Sequence, residues 1–175
     1  DSIVTIDECA HRYAAMLAAA VVRVDVPRDG VQAVVIVPLA DEVQSVAAHA
    51  RRGQVRLIEL GAAESPREEA SAISTDPDVI VTTPQRLIDH IRRENVDVSR
   101  ARVCVVASPV ASSSGQFSAD LHFIFTKFAR PPVTVFFSRE KETGLEEISE
   151  LMRRPSSVHL DSAAMRATRP VESVE

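Results

Sequence analysis

The chain has few residues at a spacing that could bind a nucleotide phosphate. A phosphate-binding loop needs glycines about two to five residues apart, because its backbone adopts positive φ angles and presents bare N–H groups to the anion. Only five of the 175 residues are glycine, and no two of them lie closer than eight positions. They are Gly30, Gly53, Gly61, Gly115 and Gly144. The sequence therefore excludes a standard glycine-rich nucleotide loop.

Histidine and cysteine also lack the spacing of a metal site. The two cysteines, Cys9 and Cys104, are far apart and lie in apolar or helical stretches. Five histidines show no i, i+4 pairing and no neighbouring cluster of cysteine or carboxylate ligands; they are His11, His49, His90, His122 and His159. We predict no metal ion, no cofactor, and buried thiols of the kind found in a reducing compartment.

Composition limits the partners and the location of the protein. The net charge is −5, which argues against general binding to polyanions but leaves room for a local basic face. Arginine accounts for 18 of the 20 basic residues. Arginine suits phosphates and carboxylates, although a genomic composition bias explains the count equally well. No apolar run approaches the about 18 residues of a membrane span, and the start is not basic. We predict an intracellular protein that contacts no membrane, in cytoplasm, nucleus or mitochondrion.

Short apolar runs, rich in β-branched residues, recur along the chain and predict strands. Most of them do not alternate with polar residues, which is typical of strands that are buried on both faces of a parallel sheet. The runs are Ile3–Ile6, Ala33–Val37, Val55–Leu60, Asp78–Thr82, Val103–Val106, Val133–Phe137 and, more weakly, Ser157–Leu160.

Segments with helical periodicity separate these runs. They cover residues 40–52, 84–94, 121–128 and 145–151. Thr83 is a good N-cap, because proline follows it at the first helical position. Connections are expected at residues 61–67, 108–115 and 129–132. The alternation predicts an α/β domain with an open sheet covered by helices on both faces.

The segment from Pro77 to Ile91 carries a specific motif. It reads PDVIVTTPQRLIDHI, and its strand followed by Thr-Pro-x-Arg-Leu-Ile-Asp-His resembles motif Ib of the DEAD-box RNA helicases. Other segments resemble the same family in the right order: Val31–Pro38 (into motif Ia), Gly61-Ala62 (the Gly-Gly turn), Val96–Ser99, Val103–Val106 (the motif II strand), Phe117, Phe136–Ser138 and Ser157–Leu160.

This resemblance covers residues 1–161 and implies the N-terminal RecA-like domain of a superfamily 2 helicase. Such a domain has an open, mostly parallel sheet with helices on both faces. Residues 162–175 are polar and lose periodicity, so we expect them to form a linker or a frayed C-terminal tail.

The residues at the family's catalytic motifs differ from the family pattern. His11-Arg12-Tyr13 stands where motif I has Gly-Lys-Thr, Ala107-Ser108-Pro109-Val110 where motif II has Asp-Glu-Ala-Asp, and Ser138-Arg139-Glu140 where motif III has Ser-Ala-Thr. Phosphoryl transfer depends on positioned cations and carboxylates. We therefore expect degenerate motifs I, II and III, no catalytic residues, no bound ATP and a pseudo-helicase that is not an enzyme.

The resemblance implies RNA contacts more readily than catalysis. Thr83 and Arg86 match motif Ib residues that contact the RNA backbone in the family, and Gly61 matches one of the paired glycines. A simpler interpretation is that Thr83 only caps a helix and Arg86 lies on its first turn. Motif Ia has lost its phosphate contacts, and Asp41 and Glu42 add repulsion there.

Three hypotheses follow for the function. The first is an inactive DEAD-box-like domain that serves as a protein-interaction or scaffold module in an RNA-processing complex. The second is an ATP-independent module that binds RNA weakly through the motif Ib face. The third is an active ATPase with an unorthodox loop, which needs a carboxylate between Ala101 and Ser118, where the sequence has none.

Overall fold

The computed structural model of the protein describes residues 2–6, 9–21, 24, 30–49, 55–61, 65–107, 115–138 and 156–160. In these ranges strands alternate with helices over most of the chain. The strands are β1 (Ser2–Ile6), β2 (Ala33–Ile36), β3 (Leu57–Leu60), β4 (Val79–Thr82), β5 (Val103–Ala107), β6 (Val133–Ser138) and β7 (Ser156–Leu160). The helices are α1 (Cys9–Val21), α2 (Ala40–Ala47), α3 (Pro66–Ile73), α4 (Pro84–Arg92) and α5 (Gly115–Phe125).

All seven strands join one sheet in the order β3-β4-β2-β5-β6-β1-β7. Every pairing in it is parallel. The central strands β2, β4 and β5 are buried at every position, as their unbroken apolar runs predict. The predicted open α/β sheet is confirmed.

Helices cover both faces of the sheet. Successive residues of each buried strand point to opposite sides, so a strand that is apolar throughout presents apolar side chains on both faces. On β2, Val34 and Ile36 pack against α3, α4 and α5. Ala33 and Val35 belong to the other core cluster, which includes Met16 of α1 and residues of α2. The sheet therefore separates two apolar layers and fixes the helices on each side of it.

Several expectations from the sequence need correction or remain open. Residues 61–67 are not all connection, since α3 begins at Pro66, where the Ser65 side chain accepts a hydrogen bond from Glu68 N. Helices α2 and α4 end earlier than predicted, at Ala47 and Arg92. The predicted helix at residues 145–151 and the tail at residues 162–175 lie outside the described residues.

Cys104 is fully buried in β5, as expected for a structural thiol. Burial raises the pKa of this thiol to about 12, so it stays protonated and unreactive near neutral pH. The side chain of Cys9 lies outside the described part of the chain. Within the described ranges, no helix combines the length and the apolar character that a bilayer crossing requires.

An ion pair joins the residues that precede β3 and β4. Arg56 donates to Asp78 from its backbone N at 2.9 Å, from Nε at 3.2 Å and from Nη2 at 3.0 Å. Burial alone would raise the pKa of the Asp78 carboxyl, but the hydrogen bonds from Arg56 outweigh it and hold that pKa below 3.8. The pair links the residue before β3 to the residue before β4 at the amino-terminal edge of the sheet.

This pair predicts a pH dependence of stability. Because the pKa of Asp78 is lower in the folded state, its contribution is present above the unfolded pKa of about 3.9 and is lost as pH falls through the folded pKa. We expect Arg56→Ala to cost about 2 kcal/mol at pH 7 and to flatten the acid limb of the stability profile. Urea unfolding between pH 3 and 7 measures this, with Arg130→Ala as a control on an exposed arginine. Parallel profiles for wild type and Arg56→Ala would contradict it.

Candidate functional site

The sequence-predicted site residues gather at one edge of the sheet. In a parallel sheet all strands end at the same edge, and loops at that edge form the binding sites of open α/β folds. Gly61 follows β3, Thr83 follows β4, and Ala107 ends β5. The topology thus places the positions predicted for RNA contact at the same edge as the start of the predicted motif II, with β2 between β4 and β5.

Gly61 forms the turn that leaves β3. Its φ of +111° lies in the left-handed region, which a residue with a Cβ rarely adopts. The space beside it is open enough for a side chain, with the nearest atom, Val43 Cγ2, 4.0 Å from an ideal Cβ. Backbone conformation rather than crowding therefore requires glycine here. The Gly61 N–H donates to Oε1 of Glu69 at 2.5 Å.

Arg86 contacts the same carboxylate from the first turns of α4. Its Nε lies 2.7 Å from Oε2 of Glu69, an ion pair in which the N–H direction falls outside hydrogen-bond geometry. The Glu69 side chain is 0% exposed, whereas the Arg86 side chain is 25% exposed. Among the described residues, no contact is found for the terminal nitrogens of this guanidinium.

His90 completes the contacts of Glu69. Its Nε2 lies 2.8 Å from Oε2 of Glu69, and its Nδ1 lies 3.2 Å from Nδ2 of Asn95. A carboxylate only accepts hydrogen bonds and an amide nitrogen only donates them. These partners assign the neutral tautomer, in which His90 donates from Nε2 and accepts at Nδ1. The charge of Glu69 is then balanced by Arg86.

Thr83 occupies the N-cap position of α4, as predicted, but it does not cap the helix with its side chain. Its backbone is extended, with φ −92° and ψ 158°, and its hydroxyl makes no cap hydrogen bond. The proline that follows supplies the preset φ of the first turn instead. The simpler interpretation of Thr83 as a capping side chain is therefore wrong, and the half-buried residue precedes the helix that carries Arg86.

A second polar link ties α4 to α5. Asp120 is 7% exposed and accepts from Gln85 at 2.5 Å and from Gln116 at 2.8 Å. Gln85 stands directly before Arg86 in the chain. The two amide donors use one oxygen each, and the bond from Gln85 links the start of α4 to α5.

The motif I position lies inside a helix. α1 begins at Cys9, so His11 and Arg12 are helical, while their side chains lie outside the described part of the structure. The Tyr13 hydroxyl donates to Oε1 of Glu42 in α2 at 2.9 Å. Glu42 itself is 9% exposed, and its second oxygen has no hydrogen-bond partner among the described residues. Tyr13 and Glu42 thus join the segments predicted as motifs I and Ia.

Only the start of the segments predicted as motifs II and III is described. Ala107 is 0% exposed and ends β5, and the backbone of Ser138 ends β6. Ser108, Pro109, Val110, Arg139 and Glu140 lie outside the described residues. Among the residues that the structure covers, no three metal-ligating side chains cluster at one place. The expectation of no metal or cofactor stays a prediction.

Glu69 and His90 are the residues that sequence reasoning missed. Glu69 lies in a charged segment, Arg67-Glu68-Glu69, that is typical of a solvated helix face. Glu69 is buried because it contacts Arg86 and His90 of α4, and the sequence of α3 alone does not reveal these contacts. The one available signal was the pair Ser65-Pro66, a cap and a first-turn proline that mark a helix start.

Sequence relatives point to one kind of protein. The chain is 25% identical over 156 residues to the DEAD-box ATP-dependent RNA helicase CshA of Bacillus cereus, covering 85% of this chain and 29% of that protein. It is 26% identical over 105 residues to the ATP-dependent RNA helicase DRS1 of Candida glabrata, covering 59% and 14%. The chain therefore spans less than a third of the length of these relatives.

These relatives correct the expectation that the domain is a pseudo-helicase and not an enzyme. Both are named as ATP-dependent RNA helicases, which are enzymes. The expectation rested on three short segments, of which the first lies inside α1 and most of the other two lies outside the described residues. Catalytic side chains in such segments are set by local geometry, which a register drawn from sequence does not establish. The expectation that no ATP binds loses its support for the same reason.

Solved structures share the fold. A DEAD box protein from the hyperthermophile Methanococcus jannaschii superposes with a TM-score of 0.77 at 15% identity, covering 90% of this chain and 45% of that one. Saccharomyces cerevisiae Dbp5, bound to Gle1 and IP6, gives a TM-score of 0.71 at 14% identity, covering 93% and 43%. The predicted RecA-like fold is confirmed.

The sequence profile that matches this chain covers strands β2 to β6 of the sheet. It is that of the DEAD/DEAH box helicases, and it matches residues 13–139. The match begins at Tyr13 in α1 and runs past the end of β6, so it includes the turn at Gly61, the start of α4 and the ends of β2, β4 and β5. The chain belongs to the DEAD/DEAH box helicase family.

Proposed function

We propose that this domain binds the sugar–phosphate backbone of single-stranded RNA through the edge formed by Gly61, Thr83 and Arg86. The observation that carries the proposal is the fixed guanidinium of Arg86. Its Nε lies 2.7 Å from Oε2 of the buried Glu69, and the Arg86 side chain as a whole is 25% exposed. The names of the relatives as RNA helicases support RNA as the ligand.

The expected affinity is modest. One arginine and one hydroxyl make few phosphate contacts, and each contact releases little counterion. The net charge of −5 and the exposed Asp41 in α2 oppose the approach of a polyanion. Binding should therefore be strongest at low salt and should weaken steadily as salt is raised.

Two substitutions test the surface. We expect Arg86→Ala to weaken binding to a fluorescein-labelled oligouridylate about fivefold at low salt and to reduce the salt slope by about 0.7, the loss of one phosphate contact. Thr83→Val should weaken binding less and change the free energy of unfolding by under about 0.5 kcal/mol, because the hydroxyl makes no cap bond.

Fluorescence anisotropy titrations at several salt concentrations measure both effects. They are run with and without ATP and Mg²⁺, because the relatives are named as ATP-dependent. Arg93→Ala removes an exposed arginine at the far end of α4 and serves as the control. Equal losses of affinity for Arg86→Ala and Arg93→Ala would mean that RNA binding depends only on net charge, which contradicts the proposed surface.

A second candidate role is a protein-interaction module within an RNA-processing complex. Leu39 supports it, because this large apolar side chain is 58% exposed at the predicted motif Ia. The related Dbp5 structure carries the protein Gle1. A photocrosslinking amino acid at position 39 should capture a protein of an RNA-associated complex in the native host, and one at position 93 should not. Equal labelling from both positions would remove the support.

A further inference from the structure

The buried Glu69 contacts two residues of the proposed RNA surface, Gly61 and Arg86. Its carboxylate is 0% exposed. One oxygen accepts the Gly61 N–H at 2.5 Å, and the other lies 2.7 Å from Nε of Arg86. A residue so placed cannot touch RNA itself, so any effect it has on RNA binding must act through its neighbours.

The side of the Arg86 guanidinium that contacts Glu69 determines which nitrogens are left to bind a phosphate. A guanidinium has two edges for bidentate contacts, and Glu69 occupies the side that carries Nε. The end-on edge, formed by the two terminal nitrogens, has no hydrogen bond or ion pair with the described residues, and this is the edge that we assign to a phosphate. A flexible arginine gives up considerable rotamer freedom when it binds, and holding its Nε side in advance removes part of that cost.

Glu69 is itself held in place. His90 lies 2.8 Å from its Oε2, and Asn95 lies 3.2 Å from the other ring nitrogen of His90. His90 is 1% exposed, so this support comes from the interior of the domain. The chain of contacts runs from Asn95 through His90 and Glu69 to Arg86 and the turn at Gly61.

We propose that Glu69 is a positioning residue for RNA binding, which it supports by orienting Arg86. The inference rests on the proposed function, since it assigns a role within the same surface. It adds a residue outside the motif segments of the family resemblance, and it states how that residue acts.

The first test does not need RNA. In a ¹⁵N spectrum of the wild-type domain, the Arg86 Nε–H signal, identified by its loss in Arg86→Ala, should show the heteronuclear NOE of an ordered group, unlike that of the exposed Arg93. Glu69→Gln should reduce the Arg86 value to that of Arg93, whereas Glu68→Gln, on the exposed side of α3, should leave it unchanged. A mobile Arg86 in the wild type overturns the inference, even if Glu69→Gln does not fold.

The second test is a double-mutant cycle with the labelled oligouridylate. Glu69→Gln should weaken binding about fivefold, as Arg86→Ala does, and the double variant should bind no more weakly than Arg86→Ala. Tighter binding by Glu69→Gln would show that the carboxylate repels RNA, and additive losses would show a general structural role. Either result overturns the inference.

The two failures are distinguishable. If the wild type binds no RNA, or Arg86→Ala changes nothing, the proposed function fails. The NOE of the Arg86 Nε–H still decides whether Glu69 orders that side chain.

Discussion

Replacing Glu69 with alanine is expected to lower the free energy of unfolding by about 3 kcal/mol. The substitution leaves the buried His90 without an acceptor, the Gly61 N–H without its partner and the guanidinium of Arg86 without its counter-charge. Removing one member of a buried pair costs more than the pair contributes, because the remaining groups stay desolvated. The exposed quarter of Arg86 places the estimate at the lower end of the usual range of about 3–5 kcal/mol.

Urea unfolding followed by circular dichroism measures this loss. The control is Glu68→Ala, one position earlier on α3, where the glutamate is exposed and its backbone N–H keeps the Ser65 cap. We expect that change to stay within about 0.5 kcal/mol. A cost below about 1 kcal/mol for Glu69→Ala would mean that the neighbours find other partners, and the contacts of Glu69 would then explain little.

Phe136→Ala is expected to destabilise the domain by about 3–5 kcal/mol. Phe136 is 0% exposed in β6 and belongs to the core cluster that includes Leu121 and Ile124 of α5. Neighbouring strands on both sides of β6 hold the backbone in register, so the core cannot collapse into the space left by the ring. The cost therefore includes both the lost apolar burial and the cavity.

The same unfolding experiment provides the comparison. Val133→Ala lies on the same strand, but Val133 is 38% exposed, so its loss should cost under about 1 kcal/mol. A cost of less than 2 kcal/mol for Phe136→Ala would indicate that the core repacks, which contradicts a strand held in register by a neighbour on each side.

The strands were the most predictable part of the fold. Runs such as Ala33–Ile36 and Val79–Thr82 are apolar throughout, and a strand buried on both faces needs this pattern. Helix α3 was not predicted, because its sequence PREEASAI is polar and short. Its helical structure depends on the Ser65 cap, the first-turn proline and its packing beside β3 and α4.

Gly61, Thr83 and Arg86 of the candidate site were predicted because they lie in segments that resemble motifs of the family. Gly61 stands out because its turn needs a positive φ, and Thr83-Pro84 because it starts a helix. The link from Gly61 to Arg86 through Glu69 joins three separate elements. Its members are brought together by the sheet order, with β4 next to β3, and no periodicity within a single segment reports that proximity.

The resemblance to the helicase family identified the fold and the edge, but its use for catalysis was less reliable. Differences from the family pattern at three motifs predicted a protein that is not an enzyme, and relatives named as ATP-dependent RNA helicases overturned that prediction. The Tyr13–Glu42 hydrogen bond joins the segments predicted as motifs I and Ia, and it does not determine activity.

An NMR titration of the ¹⁵N-labelled domain with oligouridylate at low salt tests RNA binding at the carboxyl edge. The amide signals of Gly61, Thr83 and Arg86 should shift together and in proportion to the RNA added, and they should return when salt is raised. The amides of Arg56 and Arg102, at the opposite edge of the sheet, should stay in place. Shifts confined to the amino-terminal edge, or no shifts at all, would contradict RNA binding through Arg86.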